Sequence, residues 1–137
     1  MKGARTKARK RALDVLYASE LRGEDPAAAL ERAIEDGEGP TNDYTTAIVR
    51  GVVAEQARID ELLSTYSRGW TLARMPAVDR NVLRIGVFEV LYVDDVPDAV
   101  AVSEALAMVA NLSTDESPAF VNGILGNIVR DKATLTA

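Results

Sequence analysis

Apolar residues recur along this chain at the three- and four-residue spacing of a helix face, and almost nowhere in strand-like alternation. Over 5–22 they stand at Leu13, Leu16, Tyr17 and Leu21, and Gly23 follows as a stop that tolerates positive φ. Asp25 is placed to cap a second helix with Pro26 at its first position. Ala29, Leu30, Ala33 and Ile34 form its inward stripe, and Gly37, Gly39 and Pro40 end it. Asn42 or Asp43 caps a third helix, with Ile48, Val49, Val52 and Val53 inward, and Ile59, Leu62, Leu63 and Tyr66 carry the pattern into a fourth.

The stretch 68–76 breaks the pattern with Gly69, Trp70, Leu72 and Pro76, and it predicts a seam between two lobes in which Trp70 and Leu72 pack. The next helix, about 77–93, is apolar nearly all round through Val82, Leu83, Ile85, Val87, Phe88, Val90 and Leu91. Such a helix is buried on most sides, so Arg84 and Glu89 on it need partners. Asp94, Asp95 and Pro97 turn the chain into a helix over 98–112. Ser113 and Glu116 have the spacing of a capping box, with Ser117 before Pro118 an equally good cap for the last helix, about 118–130. The expected fold is all-α: about seven helices in two small bundles packed together, an N-terminal lobe over about 1–70 and a C-terminal lobe over about 76–137.

Charge changes this picture. The first eleven residues hold Lys2, Arg5, Lys7, Arg9, Lys10 and Arg11 and no acid, while the other 126 residues hold ten basic and twenty-one acidic side chains, a net of −11. A phosphate chain is attracted to one end of such a molecule and repelled by most of the rest. The basic residues run directly into the first helix, where Arg5 and Arg9 project on the side of Leu13 and Leu16. The first turns are therefore expected to overhang the bundle and to wall a bound phosphate chain. A solubilising terminus is the bland alternative.

Chemistry is narrowed by what is missing. The chain has no Cys and no His, which removes disulfides, zinc-finger spacings and Ser–His or Cys–His pairs. It also lacks phosphate-loop and dinucleotide-binding motifs, so no enzymatic role and no cofactor or metal is expected. No apolar run is long enough for a membrane span, and Asp14 and Glu20 interrupt any signal-peptide core, so a cytoplasmic protein is expected.

Two further groups could meet a ligand. Phe120 falls in the first turn of the last helix, where a large side chain is often only half buried, and Tyr17 lies on the basic first helix. Aromatic faces beside basic groups suit single-stranded RNA, because every base has a face to stack on. Ser117 and Asn122 could hydrogen-bond base edges or sugars, against plain roles as cap and helix-surface residue. Asp79, at the start of the central helix, has helix-dipole compensation as its ordinary role.

ARKRALDVLY at 8–17, VDRNVLRIGVFEVLY at 78–92, DVPDAVAVSEALAMVANL at 95–112 and DESPAFVNGILG at 115–126 together resemble the NusB family of bacterial transcription antitermination factors. The RGWTL and STDESPAFVNG wording is similar to its actinobacterial branch. The resemblance implies two helical bundles. It also implies binding to boxA, a short single-stranded element of nascent ribosomal RNA, in partnership with the small-subunit ribosomal protein NusE. With other antitermination factors, the pair would help RNA polymerase resist termination. Carried over residue by residue, the family's RNA contacts fall on Arg5, Arg9, Tyr17, Glu116 and Phe120, with Ser117 and Asn122 beside them. Asp79 takes the place of an acid near the junction of RNA and partner. NusE is expected on the C-terminal lobe. Thr6, Ala99, Ser103 and Asn111 depart from residues common in the family. Two other readings stay open: a protein–protein adaptor with negligible RNA binding of its own, and an RNA-binding domain like those fused to ribosomal RNA methyltransferases. A homodimer is also left open.

Overall fold

The structure is a computed structural model and describes residues 3–68 and 70–137. Lys2 of the basic tip and Gly69 of the expected seam lie outside the described residues. Among the described residues there are eight α-helices, a single 3-10 turn and no strand. The chain divides into two compact units, Met1–Glu55 and Gln56–Ala137.

The first unit holds α1 (Ala4–Arg22), α2 (Pro26–Glu35) and α3 (Asp43–Ala54), each packed on the other two. Gly23 ends α1 in the left-handed conformation at φ 65°, with its N–H bonded to carbonyls in the last turn. Asp25 accepts from the Ala27 N–H at 3.3 Å to start α2, and Asn42 accepts from the Tyr44 N–H at 2.8 Å to start α3. Ala8, Ala12, Leu13, Leu16, Leu30, Ile48, Val49 and Val52 are buried.

Three expectations fail here. Ile34, in the last turn of α2, is not inward but 43% exposed. Leu21 is likewise not inward but 67% exposed. The buried stripe of α1 runs through Ala8, Arg9, Ala12, Leu13, Leu16 and Ser19, and at 3.6 residues per turn Leu21 points roughly 160° away from its centre. Nor do the first turns overhang. The Asn42 amide donates to the Ala4 carbonyl at 3.4 Å, and the buried Thr45 hydroxyl donates to the Ala8 carbonyl at 2.9 Å. The basic start of α1 is thus laid along the start of α3.

The second unit holds α4 (Gln56–Tyr66), the 3-10 turn Leu72–Arg74, α5 (Ala77–Tyr92), α6 (Asp98–Leu112), α7 (Ser117–Arg130) and the short α8 (Lys132–Leu135). The division between units falls before α4 and not at 68–76, because α4 packs on α5 and α7 and buries Ile59, Leu62 and Leu63. Helix α5 is central, touching α4, α6 and α7, with Val82, Leu83, Ile85 and Val87 wholly buried. It packs tightly on α7 at Gly86, where an added Cβ would stand 2.8 Å from Leu125 Cδ1.

The charged residues of α5 do find partners. Arg84 makes a two-pronged pair with Asp60, Nε to Oδ1 at 2.9 Å and Nη2 to Oδ2 at 3.1 Å. Among the described residues no buried side-chain nitrogen or oxygen lacks a partner, Glu89 included, although only 1% of it is exposed. The C-terminal end is tied back by Tyr66 Oη donating to Asp131 at 2.6 Å, by Arg58 donating to the Leu135 carbonyl at 2.6 Å and by Lys132 paired with Asp98 at 2.9 Å.

Candidate nucleic-acid interface

In the first unit the basic tip is organised by a residue the sequence reading passed over. Tyr44 sits in the first turn of α3, placed by the Asn42 cap. The Arg5 guanidinium carbon lies 4.2 Å from its ring centroid and that of Arg9 lies 5.7 Å from it, both within the range of a cation–π contact. The two arginines differ in access. Arg5 is exposed, whereas only 3% of Arg9 is. Arg9 therefore supports the aromatic ring, and Arg5 carries the accessible charge above it. A tyrosine in the first turn of a neighbouring helix was the available signal, through the Asn42–Tyr44 capping pair.

On the opposite flank of α1 from Arg5 and Arg9, Lys7 and Arg11 stand one turn apart and line, with residues 39–42 and Thr45, a cavity of about 410 Å³. Arg11 donates to the Glu38 carbonyl at 3.4 Å, and Lys10 pairs with Asp14 at 3.6 Å. Tyr17 is half-buried, on the flank of α1 and not on its buried stripe.

In the second unit Asp79, Glu116, Ser117, Phe120 and Asn122 do not form one surface. Asp79 and Ser117 are 2% and 1% exposed and face each other. Asp79 Oδ1 accepts from the Ser113 hydroxyl at 2.6 Å and Oδ2 from the Ser117 hydroxyl at 2.9 Å. Ser117 Oγ also receives the Thr114 N–H at 3.2 Å. The expected capping box does not form: α7 begins at Ser117, four residues after Ser113, and Glu116 stands at the cap position with no side-chain cap bond. Asp79 and Ser117 thus fix the shape of the loop before α7, with their polar atoms turned inward. Phe120 is half-buried and Asn122 exposed. Two residues apart on a helix, they point roughly 200° from each other, to opposite flanks of the buried stripe Val121, Ile124, Leu125 and Ile128.

Phe120 has a neighbour on its own flank. Trp70, expected as packing between lobes, is 50% exposed, and its ring centroid lies 5.3 Å from that of Phe120 at an interplanar angle of 46°. Among the described residues no group of three or more acidic side chains is arranged to hold a metal ion, and no helix is long and apolar enough to cross a membrane.

The chain matches the model of the NusB family over residues 6–130. It is 76% identical over 132 residues to a protein of Nocardioides sp. named transcription antitermination protein NusB, an alignment covering 96% of this chain and 98% of that one. Its fold is similar to a solved T. maritima NusB structure, with a TM-score of 0.84 and 33% identity over 97% of this chain and 95% of the other. It is also similar to a chain in a crystal structure of the antitermination factors NusB and NusE in complex with double-stranded RNA. There the TM-score is 0.78 and the identity 27%, covering 92% of this chain and 96% of that one.

Proposed function

The chain belongs to the NusB family, and we propose that it is an RNA-binding transcription antitermination factor that engages boxA-like single-stranded RNA of nascent ribosomal transcripts together with NusE. The observation that carries this reading is the near-full-length likeness to a relative named as an antitermination protein. The likeness to a chain solved with NusE and double-stranded RNA supports RNA as a ligand and NusE as the partner, and the single-stranded, boxA-like form is what the sequence resemblance implies. The geometry fits the same role. Arg5 supplies a charge for phosphate, held over Tyr44. Tyr17 and Phe120 supply half-buried rings for bases, and Glu116, exposed in the turn before Phe120, supplies an acceptor for a base amino group. Asn122 serves a contact on the other flank of α7. Arg9, Asp79 and Ser117 act by positioning: the first through Tyr44, the other two through the loop before α7.

A gel shift with a boxA-like RNA and a scrambled control, with and without NusE, tests the reading. Preferential binding of the boxA-like RNA, strengthened by NusE, is expected, and equal binding of both RNAs would reduce it to nonspecific electrostatics. Phe120→Ala should weaken RNA binding by about 1–3 kcal/mol through lost stacking.

A second reading is favoured by the net charge of −11 beyond the tip: a protein–protein adaptor that attracts a basic ribosomal protein and binds little RNA itself. Capture of NusE without RNA, with no RNA shift by this chain or by the pair, selects that reading.

A further inference from the structure

Resting on the reading that this chain binds single-stranded RNA, we propose that Trp70 stacks on an unpaired RNA base and forms a two-ring platform with Phe120. A tryptophan that merely fills a core is largely buried, yet half of Trp70 is left to solvent while the ring touches Phe120. The tilt of 46° means that the phenyl ring buttresses the indole without covering it as a parallel stack would.

The segment that presents the indole is firmly held. The buried Ser67 hydroxyl donates to the Trp70 carbonyl at 2.6 Å. Arg80 Nη1 donates to the Leu72 and Met75 carbonyls at 2.7 and 3.0 Å, and Met75 is buried. Arg68 adopts a left-handed φ of 46°, uncommon for a residue with a side chain. An exposed aromatic ring whose own carbonyl and following backbone are held by hydrogen bonds is preorganised, so less ordering cost falls on binding.

The charges around the pair favour a nucleotide over a protein surface. Arg68 and Arg74, on either side of Trp70 in the chain, are exposed, as are Asp115 and Glu116 just before Phe120. The arginines attract phosphate, while the carboxylates repel it and accept from base amino groups, which admits the base at the rings and directs the phosphate away from α7. Thr71, Ala73, Thr114 and Ala119, close to the two rings in the chain, are small and exposed as well. The centre of a protein–protein interface is depleted of acids, whereas Asp115 and Glu116 stand exposed just before Phe120.

Trp70 is the chain's single tryptophan, so its fluorescence reports on this site alone. The full chain is titrated with boxA-like RNA while fluorescence and gel shift are read together. The expected result is saturable quenching with the same Kd as the gel shift. Trp70→Ala and Trp70→Leu should each raise Kd by about fivefold to 150-fold, the range that one base–aromatic stack commands. Trp70→Phe should keep most of the affinity, and the salt slope should be unchanged in all three because no phosphate contact is lost. RNA binding with unquenched fluorescence and unaltered Kd in Trp70→Ala and Trp70→Leu overturns the proposal and leaves the RNA reading standing. Loss of NusE capture with RNA affinity intact also overturns it, making the rings a protein contact. Failure of the unaltered chain to bind RNA, alone or with NusE, removes the RNA reading and this inference with it.

Discussion

Arg9 and Asp79 are charged residues that the fold has withdrawn from solvent, at 3% and 2% exposure, and each owes its role to what surrounds it. Asp79 receives two serine hydroxyls. Asp79→Asn puts an amide N–H₂ against one of them, so that hydroxyl must turn round or lose its bond. The expected cost is about 1–3 kcal/mol in urea unfolding, with a looser loop at 113–117 visible as faster amide exchange. Thr45→Val removes the donor to the Ala8 carbonyl and should cost about 1 kcal/mol in the same assay. Asp131 shows the opposite, accessible kind of charge. Hydrogen bonds from Arg130 and then Tyr66 hold its carboxyl down from 3.8 to about 2. A depressed carboxylate pKa means that the unfolded chain takes up the proton first, so this stabilisation is complete above the unfolded value and disappears as pH falls from 3.8 through about 2. The stability gap between the unaltered chain and Asp131→Asn should be flat above about pH 5 and shrink below about pH 4 in denaturant titrations run across that range.

At the scale of elements, helix packing turns on small residues whose positions are not equivalent. A side chain at Gly86 meets Leu125, which is fully buried and has nowhere to go. Gly86→Val should therefore destabilise by about 2–3 kcal/mol through overpacking. Gly126 on α7 has nothing within 4 Å of an added Cβ, and Gly126→Ala should stabilise by about 0.5–1 kcal/mol through helix propensity. Thermal melts of the two variants should move in opposite directions. The elements themselves were legible in the sequence where local chemistry decides them. Gly23, the Asp25–Pro26 pair, Asn42 and the bounds of α6 stand where turn and cap preferences put them. The near-continuous apolar surface of α5 likewise announced a central helix. Local pattern did not reveal what depends on a distant partner. Leu21 fits a list of helix spacings but lies off the stripe that α3 covers. Ser113 and Glu116 have capping-box spacing, but α7 begins only at Ser117, and the Ser113 hydroxyl donates instead to Asp79, 34 residues before it. Trp70 reads as packing from its flanking Gly and Pro, and only the position of Phe120 makes it part of an exposed pair. The site was therefore half legible: its residue types could be read, but the burial that separates accessible Arg5 from sequestered Arg9 could not.

For the whole molecule the decisive property is the contrast between six basic residues in the first eleven and a net −11 in the remainder. Long-range attraction then depends on a few cations, and the fold determines which of them can reach phosphate. Arg9 is buried over Tyr44, whereas Arg5, Lys7, Lys10 and Arg11 are exposed, Lys10 beside Asp14 and Arg11 against the Glu38 carbonyl. If about four phosphates are neutralised, log K should fall with log salt at a slope of roughly −3, since each contact on a single strand contributes about −0.7. Arg5→Ala and Lys7→Ala should each make that slope shallower by about 0.7 and weaken every RNA alike. Arg9→Ala should leave the slope nearly unchanged while lowering the melting temperature, because the charge it removes supports a ring and faces no phosphate. Affinities measured across a series of salt concentrations for the three variants separate these roles. A slope that moves as much for Arg9 as for Arg5 would mean that Arg9 leaves Tyr44 when RNA binds, and the packing seen at the start of α1 would then be that of the free protein only.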